Sequence, residues 1–166
     1  RKAEAGFSGR HGALDYALGA TRETSDGFDS RPGNNPDRDG YRSSSAAGRL
    51  GLQLNAVHRL EASGSFSDMK AQYDGFTPAQ DDRSRQRLAT LGGAWAAQWS
   101  KEYSTRLSVS ESRQRYDSAP DLYRTETTLR NYLLQNEWRR GGHLLTAALE
   151  RREDALANPA LNAWDQ

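Results

Sequence analysis

Apolar side chains alternate with polar or small ones along most of the chain, and this alternation constrains the fold more than any other feature. A period of two residues is typical of strands whose two faces meet different surroundings, whereas an amphipathic helix repeats every three or four. The pattern occurs at 3–7, 14–21, 50–54, 60–67, 90–99, 107–109, 132–138 and 145–149. The sequence therefore predicts an all-β fold of about eight antiparallel strands.

The connections between these strands alternate in length. Short polar breaks lie at 8–12, 55–58, 100–104 and 139–142, and stretches rich in Gly, Pro, Asp, Asn and Ser lie at 25–41, 71–85, 117–125 and from 155 onward. Hairpins with short turns at one end and long loops at the other are typical of transmembrane β-barrels. Strands of ten or so residues also exceed the usual soluble strand of about five or six. A transmembrane antiparallel β-barrel is predicted, with a soluble antiparallel sandwich as the alternative.

Two features of composition support a membrane location. Trp95, Trp99, Tyr103 and Trp138 lie near the short turns, as expected of an aromatic girdle at headgroup depth. Only 35% of the residues are hydrophobic, which suits strands that bury one face in lipid better than a soluble domain of this size.

The chain begins at Arg1 without an initiator methionine or a signal sequence, so we expect a mature segment or a fragment.

Several functional classes are not supported by the sequence. A formal net charge of +1 lacks the one-sided basic surface that nucleic-acid binding requires. The absence of cysteine removes disulfide frameworks and CxxC metal sites. His11, His58 and His143 lie in or beside short turns without the spacing of metal ligands, and no serine lies in a GxSxG motif. We therefore expect no enzyme.

An acidic motif stands out in the first long loop. Asp37 and Asp39 precede Gly40 in the stretch "DRDG", which places two carboxylates on one side of a turn that glycine allows to bend. Calcium prefers carboxylate and carbonyl oxygens on adaptable loops. An isolated motif of this kind is more often an ordinary Asx-type turn, so both interpretations stay open at this point.

Arginines cluster beside the long loops. Arg83, Arg85 and Arg87 lie on one hairpin, and Arg113 and Arg115 lie on the next. Arginine binds phosphate in a planar, two-pronged manner, so one interpretation is contact with phosphates of the outer leaflet. The other is pairing with acidic neighbours such as Glu111 and Glu126.

The hairpins "KAEAGFSGRHGALDYALGATRETSDGFDS" and "EASGSFSDMKAQYDGF" resemble the early barrel strands of TonB-dependent outer-membrane receptors, most like those for cobalamin (vitamin B12). The specific motifs are "GFD" at 27–29, "DRDGY" at 37–41, "YDGF" at 73–76 and "DD" at 81–82. The resemblance implies a barrel of about 22 strands in the outer membrane of a Gram-negative bacterium. Residues 1–166 are then a partial barrel domain, without the N-terminal plug and the remaining strands.

The resemblance also implies ligands and partners. Calcium bound by the loop residues would order the loops over cobalamin, and TonB would act through the plug domain. Outer-membrane lipids, including lipopolysaccharide, are the other expected partners. The implied calcium ligands are Asp29, Asp37, Asp39, Tyr73, Asp74 and either Asp81 or Asp82. The implied cobalamin contacts are Phe28, Tyr73 and Phe76, which would otherwise pack loop against loop.

Two further functions remain open. A TonB-dependent receptor for another ligand, such as a ferric siderophore, would share the barrel but lack the acidic calcium motif. A complete eight-stranded barrel acting as an anchor or adhesin would require residues 3–7 to pair with 145–149.

Overall fold

The computed structural model describes residues 1–32, 36–77 and 79–159, and the backbone of 163–165. Parts of the predicted loops, namely 33–35, Pro78 and 160–162, lie outside the described residues. The predicted all-β class is confirmed. The strands are β1 (Lys2–His11), β2 (Leu14–Phe28), β3 (Asp39–Gln53), β4 (His58–Asp74), β5 (Asp81–Gln98), β6 (Tyr103–Ala119), β7 (Tyr123–Arg140), β8 (His143–Asn158) and β9 (Ala163–Asp165).

The strands form one antiparallel sheet in chain order, from β1 at one edge to β9 at the other. Within the described residues, β1 pairs with β2 alone and β8 pairs with β7 and β9. The pairing of 3–7 with 145–149 that a closed eight-stranded barrel requires is therefore not formed. No helix in the described ranges has the length and apolar character needed to cross a membrane.

The predicted long loops are shorter in the structure, and this corrects the sequence-based boundaries. The connections run from 29 to 38, from 75 to 80 and from 120 to 122, and β8 continues to Asn158 instead of ending near 155. The reason is charge pairing across strands. Arg85 donates to Asp68 at 2.8 Å, and Arg124 donates to Asp117 at 2.7 Å. Polar residues that resemble loop composition are thus held in the ladder by their cross-strand neighbours.

On one face of the sheet, the part nearest the short turns carries mainly apolar side chains, and these form an apolar band. Tyr16, Leu50, Ala62 and Gly93 lie in one row of directly paired residues on β2 to β5, and the row continues to Val109 on β6. Large apolar side chains on this face are exposed, for example Leu91 at 70% and Leu149 at 72%. Among the described residues, Ala97 is the only buried apolar side chain. The described sheet is therefore a single layer with no core of its own.

The limit of this apolar band lies in one row on β2 to β5 and moves toward the short turns on β6 to β8. On β2 the last apolar residue before the charged segment is Ala20. Direct pairing across β3 places Ala20 in the same row as Phe66 on β4. On β8 the last apolar residue before the charged segment is Leu149, which lies in the same row as Leu60 on β4. The limit thus moves six residues (66 − 60) over the six steps from β2 to β8. With a rise of about 3.3 Å per residue and a strand spacing of about 4.8 Å, this offset corresponds to a tilt of roughly 35°.

Aromatic side chains gather at the short-turn end of the same face. The rings of His58 and Trp95 stack with centroids 5.6 Å apart, and those of Trp95 and Trp99 lie 6.0 Å apart. Tyr103 pairs directly with Trp138 on the neighbouring strand. The position of the predicted aromatic cluster is confirmed, and His58 is part of it.

Candidate metal centre

Two loops meet at the opposite end of the sheet. They are the β2–β3 loop (29–38) and the β4–β5 loop (75–80), which lie close together because β3 pairs with β4. The Arg31 guanidinium donates a short hydrogen bond to the carbonyl oxygen of Gly75. It also lies 5.8 Å from the centroid of the Phe76 ring, which is within the range of a cation–π contact. Arg31 therefore links the two loops.

Three carboxylates converge between these loops. Asp37 and Asp39 come from the first loop and the start of β3, and Asp74 is the last residue of β4. One carboxylate oxygen of each lies within 4.8 Å of the others. The structure thus brings together three of the predicted ligands, from two segments of the chain.

Most oxygens of the cluster have no hydrogen-bond donor. Oδ1 of Asp37, Oδ1 of Asp39 and both oxygens of Asp74 are buried and unpartnered. The other oxygen of Asp39 accepts from the Ser30 amide at 3.0 Å. Buried polar atoms are nearly always satisfied in folded proteins, so four unpartnered carboxylate oxygens in one place are an arrangement that a positive charge would stabilise.

The electrostatics of the cluster agree with this conclusion. Burial raises the pKa of Asp74 above its usual value, and the negative charges of Asp39, Asp37 and Asp29 raise it further. Arg31 acts in the opposite direction but does not compensate. Asp29 is therefore close enough to contribute to the field, although its Oδ1 accepts from the Arg31 amide at 3.1 Å.

The residues present fit a hard divalent cation. Calcium takes about six to eight oxygen ligands and favours carboxylates on loops. Asp37, Asp39 and Asp74 supply unpartnered carboxylate oxygens, and a bound cation would offset the repulsion among them. These three residues would hold the ion.

The other predicted ligands have different contacts. Asp82 is 6% exposed and accepts from the Gly75 amide and from the Gln80 side chain, both at 2.9 Å. Asp81 forms an ion pair with Arg83 at 2.8 Å. Both aspartates lie in β5 and not in a loop, which corrects the sequence-based placement. Their assignment as calcium ligands stays a prediction, and the contacts of Asp82 show that it holds the β4–β5 loop.

The predicted aromatic contacts lie around the same end of the sheet. Phe28 is 74% exposed and Phe76 is 96% exposed, whereas Tyr73 is 36% exposed and pairs with Asp82 in the ladder. The ladder pairing places Tyr73 in β4 and not in a loop. Its role as a metal ligand and the cobalamin contacts of all three aromatics stay predictions.

Sequence reasoning missed two features that position the cluster. Arg31 carried no motif, so its link to the second loop was not predictable. Gly40 was interpreted as a turn residue, but it lies in β3, where a Cβ would come within 2.8 Å of the Ser25 carbonyl oxygen. Gly27 has a φ of +68°, and a Cβ there would lie 1.8 Å from the Asp39 carbonyl oxygen. The two glycines allow β2 to approach β3 at the irregularity between Ser25 and Phe28.

Replacing Gly27 with alanine is expected to displace Asp39 and weaken the cluster. The added Cβ meets backbone and cannot be relieved by a rotamer change, so we expect a loss of more than about 1 kcal/mol in the free energy of unfolding, together with weaker calcium binding. Gly12→Ala is the matched control, because Gly12 has a similar φ of +59° but nothing within 4 Å of its Cβ position. Denaturant unfolding and calcium titration of both variants test this. Equal effects on calcium affinity would contradict it.

As the pH is lowered, calcium binding is expected to weaken at a higher pH than it would in a site whose aspartates have ordinary pKa values. Because the pKa of Asp74 is raised, its carboxylate takes up a proton above the usual Asp range of about 4. The ion binds only the deprotonated form, so affinity should fall as the pH drops through the raised pKa. Without calcium, protonation relieves the repulsion, so the loops should gain stability over the same range. Calorimetric titrations from neutral to acidic pH test both trends. An affinity that stays constant down to about pH 4 would contradict the first.

Comparisons with known proteins do not place the chain in a family, since no family model and no curated protein matches it.

Proposed function

We propose that the chain is part of the barrel of a TonB-dependent outer-membrane receptor that takes up cobalamin. Calcium held by Asp37, Asp39 and Asp74 orders the two loops over the ligand. The observation that carries this proposal is the set of four buried, unpartnered carboxylate oxygens between loops that Arg31 already links. An ordinary structural turn does not require such an arrangement, because at neutral pH its carboxylates repel one another and a bound cation relieves that repulsion.

Membrane placement is supported by the apolar band. The band is exposed on a sheet that has no second layer among the described residues, and water is an unfavourable partner for so much apolar surface. The offset of its limit between β2 and β8 corresponds to an average tilt of roughly 35°, close to the tilt of about 35–45° in outer-membrane barrels. Lipid is the partner that fits an exposed apolar band on such strands.

A barrel with further strands is supported by the open sheet. The described β1 and β9 lie at opposite edges and are not paired with each other. Unpaired backbone at membrane depth is costly, so spanning sheets close on themselves. We therefore favour closure by additional strands, as in the large plugged receptors of about 22 strands, over the small anchor or adhesin. TonB would act through the plug domain of such a receptor, and we assign the chain no catalytic role.

Cobalamin is favoured over a ferric siderophore by the acidic cluster. The motifs that resemble cobalamin receptors supply all three members of the cluster, Asp37, Asp39 and Asp74. Phe28 and Phe76 add exposed aromatic surface beside it, which suits a large amphipathic ligand.

Growth on imported cobalamin tests the proposed function. A Gram-negative strain that requires external cobalamin and lacks its own receptor is given the full-length protein that carries this chain. We expect growth on low cobalamin that is lost when TonB is deleted and strongly reduced by Asp37→Asn with Asp39→Asn. Growth that requires a ferric siderophore supply instead, or that is independent of TonB, would contradict the proposal.

A further inference from the structure

Three cations lie side by side on the apolar face, beyond the apolar band. Arg42 on β3 is directly opposite Lys70 on β4, and Lys70 is directly opposite Arg85 on β5. Like charges in directly paired positions destabilise a sheet. This cation row, Arg42–Lys70–Arg85, therefore needs a counter-charge.

The protein supplies little of that counter-charge. Arg85 is paired with Asp68 at 2.5 Å, whereas Arg42 and Lys70 have no salt bridge among the described residues. The neighbouring guanidiniums of Arg87, Arg115 and Arg124 all contact the carboxylate of Asp117, and Arg115 also pairs with Glu126 at 3.3 Å. Their guanidinium nitrogens lie 3.3, 2.8 and 2.7 Å, respectively, from the carboxylate oxygens of Asp117. One interpretation of the arginine cluster, pairing with acidic neighbours, thus holds for part of it and leaves the cation row in excess.

The cation row lines an open groove of about 1000 Å³. Its charged lining consists of one acid, Asp117, and seven cations, Arg42, Lys70, Arg83, Arg85, Arg87, Arg115 and Arg124. At one end lie Leu122, which is 85% exposed, and Tyr123, which is 41% exposed. The groove therefore offers both cationic and apolar contacts.

The position of the groove relative to the apolar band identifies its occupant. On β4, Lys70 lies four residues (70 − 66) beyond Phe66, the last apolar residue of the band on that strand. At about 3.3 Å per residue this is roughly 13 Å along the strand. An amphiphile whose acyl chains cover the band would therefore place its head group at the cation row.

We infer that this groove binds the phosphate groups of an anionic lipid in the leaflet beside the long loops, with the acyl chains lying on the apolar band. The inference depends on the membrane placement in the proposed function but not on the cobalamin or calcium assignments. Basic grooves at the edge of a membrane-spanning region bind anionic head groups, and guanidinium matches phosphate in a two-pronged geometry. A free phosphate would use the cations alone and gain nothing from Phe66 and its neighbours.

Retention of a diphosphorylated lipid tests the inference. The full-length protein in detergent is titrated with lipid A, and bound lipid is counted by native mass spectrometry. We expect Arg42→Gln with Lys70→Gln to weaken retention at least about ten-fold, since each surface cation contributes about 1 kcal/mol to such binding. The matched control is Arg10→Gln with Arg49→Gln, which removes equal charge from the opposite face and should leave retention unchanged.

Three results would overturn the inference. They are unchanged retention in the Arg42/Lys70 variant, equal loss in the Arg10/Arg49 control, and displacement of lipid A by inorganic pyrophosphate at equal concentration. Cobalamin binding in calcium, measured on the same samples, reports folding of the variants and separates the two proposals. Lipid retention without cobalamin binding would remove the proposed ligand and leave the lipid site standing.

Discussion

Arginine in place of Ala62 is expected to destabilise the protein in a bilayer by about 2–4 kcal/mol, the cost of a cation at the lipid-facing midplane of an outer-membrane barrel. Ala62 lies in the middle of the apolar band on β4, in the row with Leu50 and Gly93. The substitution adds bulk where the side chain is exposed, so no packing within the described sheet is lost.

Ser65→Arg is the control for this prediction. Ser65 is exposed on the same strand but on the opposite face, between Ala47 and Thr90, where a wet lumen accepts a charge at little cost. Reversible denaturant unfolding of the full-length protein in phospholipid vesicles measures both variants. A similar, small loss for Ala62→Arg and Ser65→Arg would show that the apolar face is not in lipid.

Asparagine in place of Asp74 is expected to lower calcium affinity at least ten-fold, since affinity depends on the number of charged ligands. Asp74 contributes two of the four unpartnered oxygens, and asparagine keeps the shape while it removes the charge. Because burial and repulsion by Asp39 and Asp37 raise the pKa of Asp74, the variant should also be more stable than the parent in the absence of calcium.

Asp81→Asn provides the matched control and decides an open assignment. It removes the same charge from the same end of the sheet, but Asp81 is paired with Arg83 outside the cluster. Calcium titration calorimetry on both variants should show affinity within about two-fold of the parent for Asp81→Asn. An equal loss in the two variants would contradict the three-carboxylate site and restore Asp81 as a ligand.

The fold was predictable where one face of a strand is apolar. Alternation at 90–99 and 107–109 predicted β5, β6 and the short turn between them, because the apolar pattern and the pleat of a strand have the same period. The strand ends were not predictable in the same way. Asp68 and Arg85, or Asp117 and Arg124, have the composition of loop residues, and only the strand register places each beside its partner.

The candidate site was predictable only in part, for a similar reason. The motifs at 37–41 and 73–76 point to Asp37, Asp39 and Asp74, which the structure brings together. Whether Asp82 belongs to the cluster depends on whether its oxygens already accept hydrogen bonds. Only the fold shows that they accept from the Gly75 amide and the Gln80 side chain. Arg31 has no motif at all, since its role is defined by a loop 44 residues away in the sequence.

Equilibrium binding of cyanocobalamin to the full-length protein in detergent, first with calcium and then with chelator, is the decisive test of the proposed function. We expect tight binding in calcium that weakens on chelation and returns when calcium is restored, with the Asp37→Asn and Asp39→Asn double variant weak under both conditions. Binding that is absent in calcium, or that is equally tight with chelator, would contradict it. Asp37 and Asp39 would then be an ordinary polar turn on a barrel with a different cargo.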